Sequence, residues 1–196
     1  FWKNCLPRWE SKTPQTNPFG QPLLTIIQVL DQASDKRLVE QLRPHLNINR
    51  FVTFWALEMI LGHNDGYTCN NNNFYIYLDP DDNERITFIP WGFENGGNYE
   101  YEWSAESYFQ SRLPRRLSRI PEIVRQLEKK LDFLLGQAWD ENYLISLIDH
   151  LALQVETAEM SNQSLSRLNR LKAWIPKRKA EIELVIQNGL PQMVED

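Results

Sequence analysis

The pattern of apolar positions divides the chain into two helical parts with a β-hairpin between them. Apolar residues recur at spacings of three and four before residue 62 and again after residue 106, which indicates amphipathic helices. Residues 74–89 instead alternate on both sides of the polar run 79–83, which predicts two antiparallel strands joined by a turn. The sequence therefore predicts an α+β fold that is mostly α-helical and has one hairpin.

Proline, glycine and polar residues divide this single predicted domain into segments. Five prolines and glycines within the first 22 residues predict an irregular lead-in, with no helix before Pro22. Ser34 and Asn49 are expected to cap the second and third helices, and Gly62 is expected to end the third. The predicted segments are, in order, the lead-in (1–22), helices (23–61), loops and the hairpin (62–105), a helical bundle (106–189) and a polar tail (190–196).

The later helices have start signals of their own. Pro121 suits the first turn of a helix that ends near Gly136, and Asp140 suits the cap of the next helix. The last helix contains Pro176, a residue that can kink a helix. These signals predict the bundle of the second half.

Composition and charge exclude several classes of protein. The chain has 196 residues with 21 Lys and Arg against 26 Asp and Glu, and its net charge of −5 argues against a general nucleic-acid binder. No apolar run approaches the roughly 18 to 20 residues of a membrane span. Two cysteines, Cys5 and Cys69, lack Cys-x-x-Cys spacing, so metal-thiolate and redox motifs are absent. Because the sequence starts at Phe1 without a signal-type segment, we expect it to be part of a longer protein.

The segment from Asp65 to Glu94 contains the candidate chemistry. An aspartate followed five residues later by an asparagine, Asn70, and then by a strand pair ending in an acidic turn, is one way to surround ATP phosphates with a base and metal ligands. Asp-Gly and asparagine runs also form turns, and on spacing alone the turn is the more frequent explanation. The choice between these explanations needs further information.

Other conspicuous side chains have structural interpretations. His63 lies beside a helix end, where capping carbonyls or binding a neighbour is more common than catalysis, and Tyr67 is expected to pack. Four arginines at helical spacing could bind phosphate or an acidic partner, although a solvated face is the default: Arg112, Arg115, Arg116 and Arg119. Four aromatic residues of the hairpin are expected to pack in the core rather than to stack on a nucleotide: Tyr75, Tyr77, Phe88 and Trp91.

Three strings in the candidate segment are distinctive together: H-N-D-G-Y at 63–67, N-N-F-Y-I-Y at 72–77 and F-I-P-W at 88–91. They resemble the signature of the spore-coat protein H kinase family, CotH, which is approximately W-D-x-Y, N-N-Y-Y-L-Y and I-P-W-D-L-D. The likeness extends to 9–13 and to L-K-A-W-I-P-K-R at 171–178, so it covers most of the chain.

The resemblance implies an atypical protein kinase that transfers the γ-phosphate of ATP to serine hydroxyls of a protein substrate, with Mg²⁺ or Mn²⁺. Asp65 then corresponds to the catalytic aspartate that orients or deprotonates the hydroxyl, and Asn70, Asn72 or Asn73 supplies an amide oxygen to metal or phosphate. The fold implied is the C-terminal lobe of a kinase-like domain, with an N-terminal lobe expected before residue 1. A secreted, cell-surface or spore-coat location is implied in the same way.

One position departs from the family pattern. The family's metal-binding aspartate after Pro-Trp falls on Gly92, and its second aspartate falls on Glu94. Glycine has no carboxylate to hold a metal, so weakened phosphotransfer is expected, with Glu94 and Asn70 as the remaining candidate metal ligands. Two functions therefore stay open: a CotH-like serine kinase, or a pseudokinase or protein-interaction module that keeps the fold without phosphotransfer.

Overall fold

The structure, a computed structural model, describes Lys12 and residues 20–93, 103–155 and 162–193. The elements of these residues are, in order, α1 (Gly20–Gln32), α2 (Asp35–Leu42), α3 (Ile48–Leu61), α4 (Tyr67–Asn70), β1 (Phe74–Asp79), β2 (Arg85–Pro90), α5 (Arg112–Leu117), α6 (Pro121–Gln137), α7 (Glu141–Val155) and α8 (Asn162–Asn188). Short 3₁₀ helices cover Pro80–Asp82 and Ala105–Phe109. The predicted α+β class, mostly helical with one antiparallel hairpin, is confirmed. No helix in these ranges is both long enough and apolar enough to cross a membrane.

Helix α3 forms the centre of the core. Phe51, Trp55 and Met59 repeat every four residues and are fully buried, as the apolar pattern requires. The helix packs against α6, β2 and α8, so apolar contacts surround it. Gly62 ends it with a φ of 65°, which confirms the predicted stop. This end of α3 leads directly into the candidate segment.

The hairpin covers α3 with one of its two faces. Phe74 pairs with Pro90 and Asp79 pairs with Arg85, so alternate residues of each strand point to the same side. Phe88 lies on the inner face, where its ring centroid is 5.1 Å from that of Phe51 on α3. The expectation that Phe88 packs in the core is therefore confirmed.

The outer face of the hairpin carries the other three aromatic residues that were expected in the core: Tyr75, Tyr77 and Trp91. Tyr77 is 47% exposed and Trp91 is 58% exposed, while Tyr75 packs its ring on Trp91 with centroids 5.0 Å apart. The prediction of core packing is wrong for these three residues. The strand pairing decides this, because alternation allows only one of two neighbouring aromatic residues to face α3.

Two helix starts differ from the sequence prediction. Helix α1 begins at Gly20, so Pro22 lies within its first turn, where the missing N–H has no intrahelical partner to lose. Helix α3 is capped by Asn47, whose side-chain oxygen accepts from the Arg50 N–H at 3.1 Å, and not by Asn49. The reason is tertiary, since the Asn47 N–H is bonded to Ile86 of β2 and the helix can begin only after this contact.

Helix starts later in the chain agree with their signals. Pro121 is the first residue of α6. The Asp140 carboxylate accepts from the Tyr143 N–H at 2.9 Å at the start of α7. Helix α8 continues through Pro176 as one element.

Arginine side chains of α5, and Arg119 just after it, form ion pairs and hydrogen bonds with other elements of the fold. Arg112 pairs with Asp31, and Arg116 pairs with Asp35 at 3.0 Å and also donates to backbone carbonyls at the end of α1. Arg119 donates to the Met193 carbonyl at 3.1 Å. The interpretation as a solvated basic face is therefore wrong, because these side chains tie α5 to α1, α2 and the C-terminal segment.

Candidate functional site

The loop between α3 and α4 brings the candidate aspartate to the asparagine run. After Gly62 the chain turns within a few residues, and Asp65 precedes the four-residue helix α4. Asn71 and Asn73 follow α4 with φ values of 57° and 45°, a left-handed conformation that asparagine tolerates better than most residues. The asparagine run thus forms the turn that leads into β1.

The same turn directs three asparagine side chains at one carboxylate. Asp65 Oδ1 accepts from Asn70 Nδ2 at 2.9 Å and from Asn72 Nδ2 at 3.1 Å. Asp65 Oδ2 accepts from Asn73 Nδ2 at 2.7 Å. The four residues predicted as catalytic or nucleotide-binding on sequence grounds therefore lie in one group, which we call the Asp65 cluster: Asp65, Asn70, Asn72 and Asn73.

These hydrogen bonds change the acidity of the carboxyl group. The pKa of Asp65 is lowered most by the side-chain amide of Asn72, then by those of Asn70 and Asn73, because each hydrogen bond stabilises the charged carboxylate. The positive charge that His63 would carry when protonated acts in the same direction. Asp65 is consequently a fixed anion at neutral pH.

Gly92 lies against this cluster. The Trp91 N–H donates to the Asn73 carbonyl at 3.1 Å, which joins the end of β2 to the start of β1. Gly92 has a φ of 65°, and a Cβ atom placed on it would lie 2.9 Å from Asn73 Cγ. The position at which the family pattern has its aspartate therefore borders the Asp65 cluster. Glu94, the second candidate metal ligand, lies outside the described residues.

Glu58 contacts the start of α4 beside the cluster, and it was not among the predicted site residues. The side chain is 1% exposed and lies near the C-terminal end of α3. Its Oε1 accepts from the Tyr67 N–H at 3.0 Å, and its Oε2 accepts from the Thr68 N–H at 2.7 Å and from the Thr68 hydroxyl at 2.6 Å. The sequence does contain a signal for this role, namely an acidic residue at a core position of an apolar helix. A buried carboxylate requires hydrogen-bond partners, so such a residue indicates a polar contact inside the fold.

The His63 side chain contacts the Glu58 carboxylate, while the His63 backbone N–H donates to the Glu58 carbonyl at the end of α3 at 2.9 Å. Its Nδ1 is 3.5 Å from Glu58 Oε1, and its ring meets the Phe93 ring edge-on at 5.2 Å. The side chain is buried, and its ring nitrogens form no hydrogen bond to any residue that the structure describes. His63 is thus a neighbour of Glu58, which is one of the two roles expected for it.

Helix α8 holds the end of α3 from the other side. The buried Arg178 donates to the carbonyls of Met59 and Ile60, in the last turn of α3, where a positive charge also complements the helix dipole. Its guanidinium lies over the Tyr108 ring, 5.5 Å from the centroid, and pairs with Glu181 at 2.8 Å. Arg178 ends one of the strings that resemble the family, and this contact gives it a structural role.

The cluster contains oxygen atoms of the kinds that bind divalent cations. Each asparagine uses its amide NH₂ toward Asp65, which leaves its Oδ1 as an acceptor, and Mg²⁺ or Mn²⁺ prefers carboxylate and amide oxygens. Among the described residues there is no group of three or more His, Cys, Asp or Glu suited to a metal. The one carboxylate and the amide oxygens of the cluster are thus compatible with a cation that takes further ligands from outside the cluster.

Comparison with known families assigns most of the chain. The family model described as CotH kinase protein matches residues 9–182. This range contains Glu58, the Asp65 cluster, Gly92 and Arg178. A search of curated proteins finds no match to the chain.

Proposed function

This chain belongs to the CotH kinase protein family, and we propose that it binds ATP with Mg²⁺ or Mn²⁺ and transfers the γ-phosphate to serine hydroxyls of a protein substrate. The observation that supports this most directly is the Asp65 cluster, in which one carboxylate and three amides converge at the family-like strings. The proposal includes the fold, in which the helical part corresponds to the C-terminal lobe of a kinase-like domain.

The geometry favours orientation of the hydroxyl by Asp65 over strong base catalysis. A carboxylate has about four acceptor sites, and three of them are occupied by amide donors, so one remains for a serine hydroxyl. A lowered pKa makes Asp65 a weaker base. Phosphoryl transfer tolerates this, because its loose transition state depends on positioning and charge neutralisation more than on proton removal.

The asparagines supply the second part of the proposed site. When bound, the metal neutralises charge on the phosphates. The amide oxygen of Asn70 would hold the metal, with Glu94 as the proposed carboxylate ligand, and Asn72 or Asn73 would contact phosphate or metal. In this arrangement Asp65 also holds the three amides in orientation.

A pseudokinase or protein-interaction module is the second candidate function, and Gly92 favours it. An aspartate at this position would adopt a left-handed φ and would press on Asn73. The position therefore suits glycine, and the close contact with Asn73 disfavours the side chain that holds metal in the family pattern. Such a protein would keep the fold, with or without nucleotide binding, and would lack phosphotransfer.

The test is ATP binding by calorimetry on the complete gene product, with Mn²⁺ or Mg²⁺ and then with chelator. Asp65→Ala and Glu94→Ala are compared with Asp132→Ala, an exposed aspartate on α6 that serves as the matched control. Metal-dependent binding that is lost in Asp65→Ala and kept in Asp132→Ala supports a nucleotide site. The absence of binding by the complete wild-type gene product would exclude the kinase and leave the interaction module.

A second assay separates a kinase from a pseudokinase. Radiolabelled ATP is offered with a serine peptide library and with the same library carrying alanine in place of serine. Label on the serine library that depends on Asp65 supports phosphotransfer. Binding without any transfer supports the pseudokinase.

A further inference from the structure

Glu58 is a buried acidic side chain near the C-terminal end of α3, and it contacts the loop that carries Asp65. We infer that Glu58 is a positioning residue, whose buried carboxylate holds the start of α4 in place and so brings Asn70, Asn72 and Asn73 to Asp65. The positioning role of Glu58 does not depend on the proposed function, and only the ATP-binding measurement below rests on it.

The first step is the capping of α4 from another helix. The N–H groups of a first helical turn have no intrahelical acceptor, and a capping side chain usually serves them. The cap position of α4 is Gly66, which has no side chain, and the Tyr67 and Thr68 N–H groups bond to Glu58 instead. Glu58 therefore replaces the missing cap.

The second step is the fit between Gly66 and the carboxylate. A Cβ atom on Gly66 would lie 2.7 Å from His63 Nδ1 and still closer to Glu58 Oε1. The φ of Gly66 is −83°, which any residue can adopt, so space is the reason for glycine here. Glycine at the cap thus leaves room for the Glu58 side chain.

The third step connects this anchor to the Asp65 cluster. The Gly66 carbonyl accepts from the Asn70 N–H at 2.9 Å and from the Asn72 N–H at 3.4 Å. Gly66 also follows Asp65 directly in the chain. Asp65 and two of its three partners therefore depend on the position of Gly66, and a displacement of the start of α4 would disturb their alignment.

The experiment compares Glu58→Gln with wild type by NMR of the asparagine side-chain NH₂ groups. Glutamine keeps the size of the side chain, but its NH₂ group cannot accept a hydrogen bond, so the three bonds cannot all form. We expect the signals of Asn70, Asn72 and Asn73 to move toward those of free amides in the folded variant. We also expect ATP–Mn²⁺ to bind about ten- to a hundredfold more weakly, as for the loss of one hydrogen bond to a charged group.

The control is Leu131→Ala, which removes a buried side chain of α6. This variant should lose stability and keep the asparagine signals of wild type, so destabilisation alone cannot explain a change. If Glu58→Gln does not fold, Thr68→Val decides, because it removes one bond to Glu58 with little change of shape. Its asparagine signals should shift in the same direction.

The inference would be overturned if folded Glu58→Gln showed the same asparagine NH₂ signals as wild type. If Glu58→Gln does not fold, unchanged signals in Thr68→Val would overturn it. The same signals test Glu58 even if the wild-type protein does not bind ATP. In that case the proposed function fails and the positioning role is still measured.

Discussion

Gly92→Ala is expected to destabilise the protein by more than backbone strain alone. A φ of 65° costs a residue with a Cβ roughly 1–2 kcal/mol. The added Cβ would also lie 2.9 Å from Asn73 Cγ, so Asn73 must move and weaken its 2.7 Å hydrogen bond to Asp65. A hydrogen bond to a charged group contributes about 1.5–3 kcal/mol, and weakening it without breaking it costs about 1 kcal/mol of this. The expected loss in free energy of unfolding is therefore about 2–3 kcal/mol.

Two other glycines separate the contributions. Gly189 has a φ of 84° and no atom within 4 Å of an added Cβ, so Gly189→Ala should show the strain of about 1–2 kcal/mol alone. Gly136 lies in α6 with open space around it, and Gly136→Ala should raise stability by up to about 1 kcal/mol. Urea unfolding of the three variants at neutral pH measures the differences.

Equal losses for Gly92→Ala and Gly189→Ala would refute the role assigned to the contact with Asn73. Gly92→Asp extends the test to function. It restores the residue of the family pattern, and we expect lower stability and no gain in phosphotransfer, because the new carboxylate displaces part of the Asp65 cluster. A stable Gly92→Asp variant with faster phosphotransfer would contradict the proposed adaptation to glycine.

Three further predictions concern acid stability, the cap of α4 and the anchor of α3. The pKa of Asp65 is lowered in the fold, so its contribution to stability is present above the unfolded pKa of about 3.9 and is lost as pH falls through the folded pKa. Asp65→Asn should therefore make the urea midpoint depend less on pH between pH 5 and pH 2. An unchanged pH dependence would contradict this prediction. Gly66→Ala should destabilise by about 1–3 kcal/mol through crowding at Glu58, measured against Gly136→Ala in the same urea assay, and a stabilised variant would contradict the crowding. Arg178→Met should lower the free energy of unfolding by about 1–3 kcal/mol because it leaves buried carbonyls of α3 unpaired, and an unchanged thermal midpoint would contradict this.

Local chemistry explains why much of the fold could be predicted from the sequence. Gly62 and Pro121 mark helix ends through their own backbone preferences. The hairpin follows from alternation on both sides of a polar turn. The Asp65 cluster could also be predicted, because its four residues lie within nine positions of the sequence and a single turn can bring them together.

Burial and pairing depended on the tertiary structure, because they are set by elements far apart in the sequence. Glu58 looks like an interruption of an apolar helix until α4 is placed against it, and only this contact satisfies its charge. Arg116 looks like part of a solvated face until the end of α1 lies beside it. Tyr77 and Phe88 are both hairpin aromatics, and the position of α3 decides which is buried. Most elements, the family and the polar loop can thus be recognised from the chain alone, whereas packing between distant elements selects the side chains that support that loop.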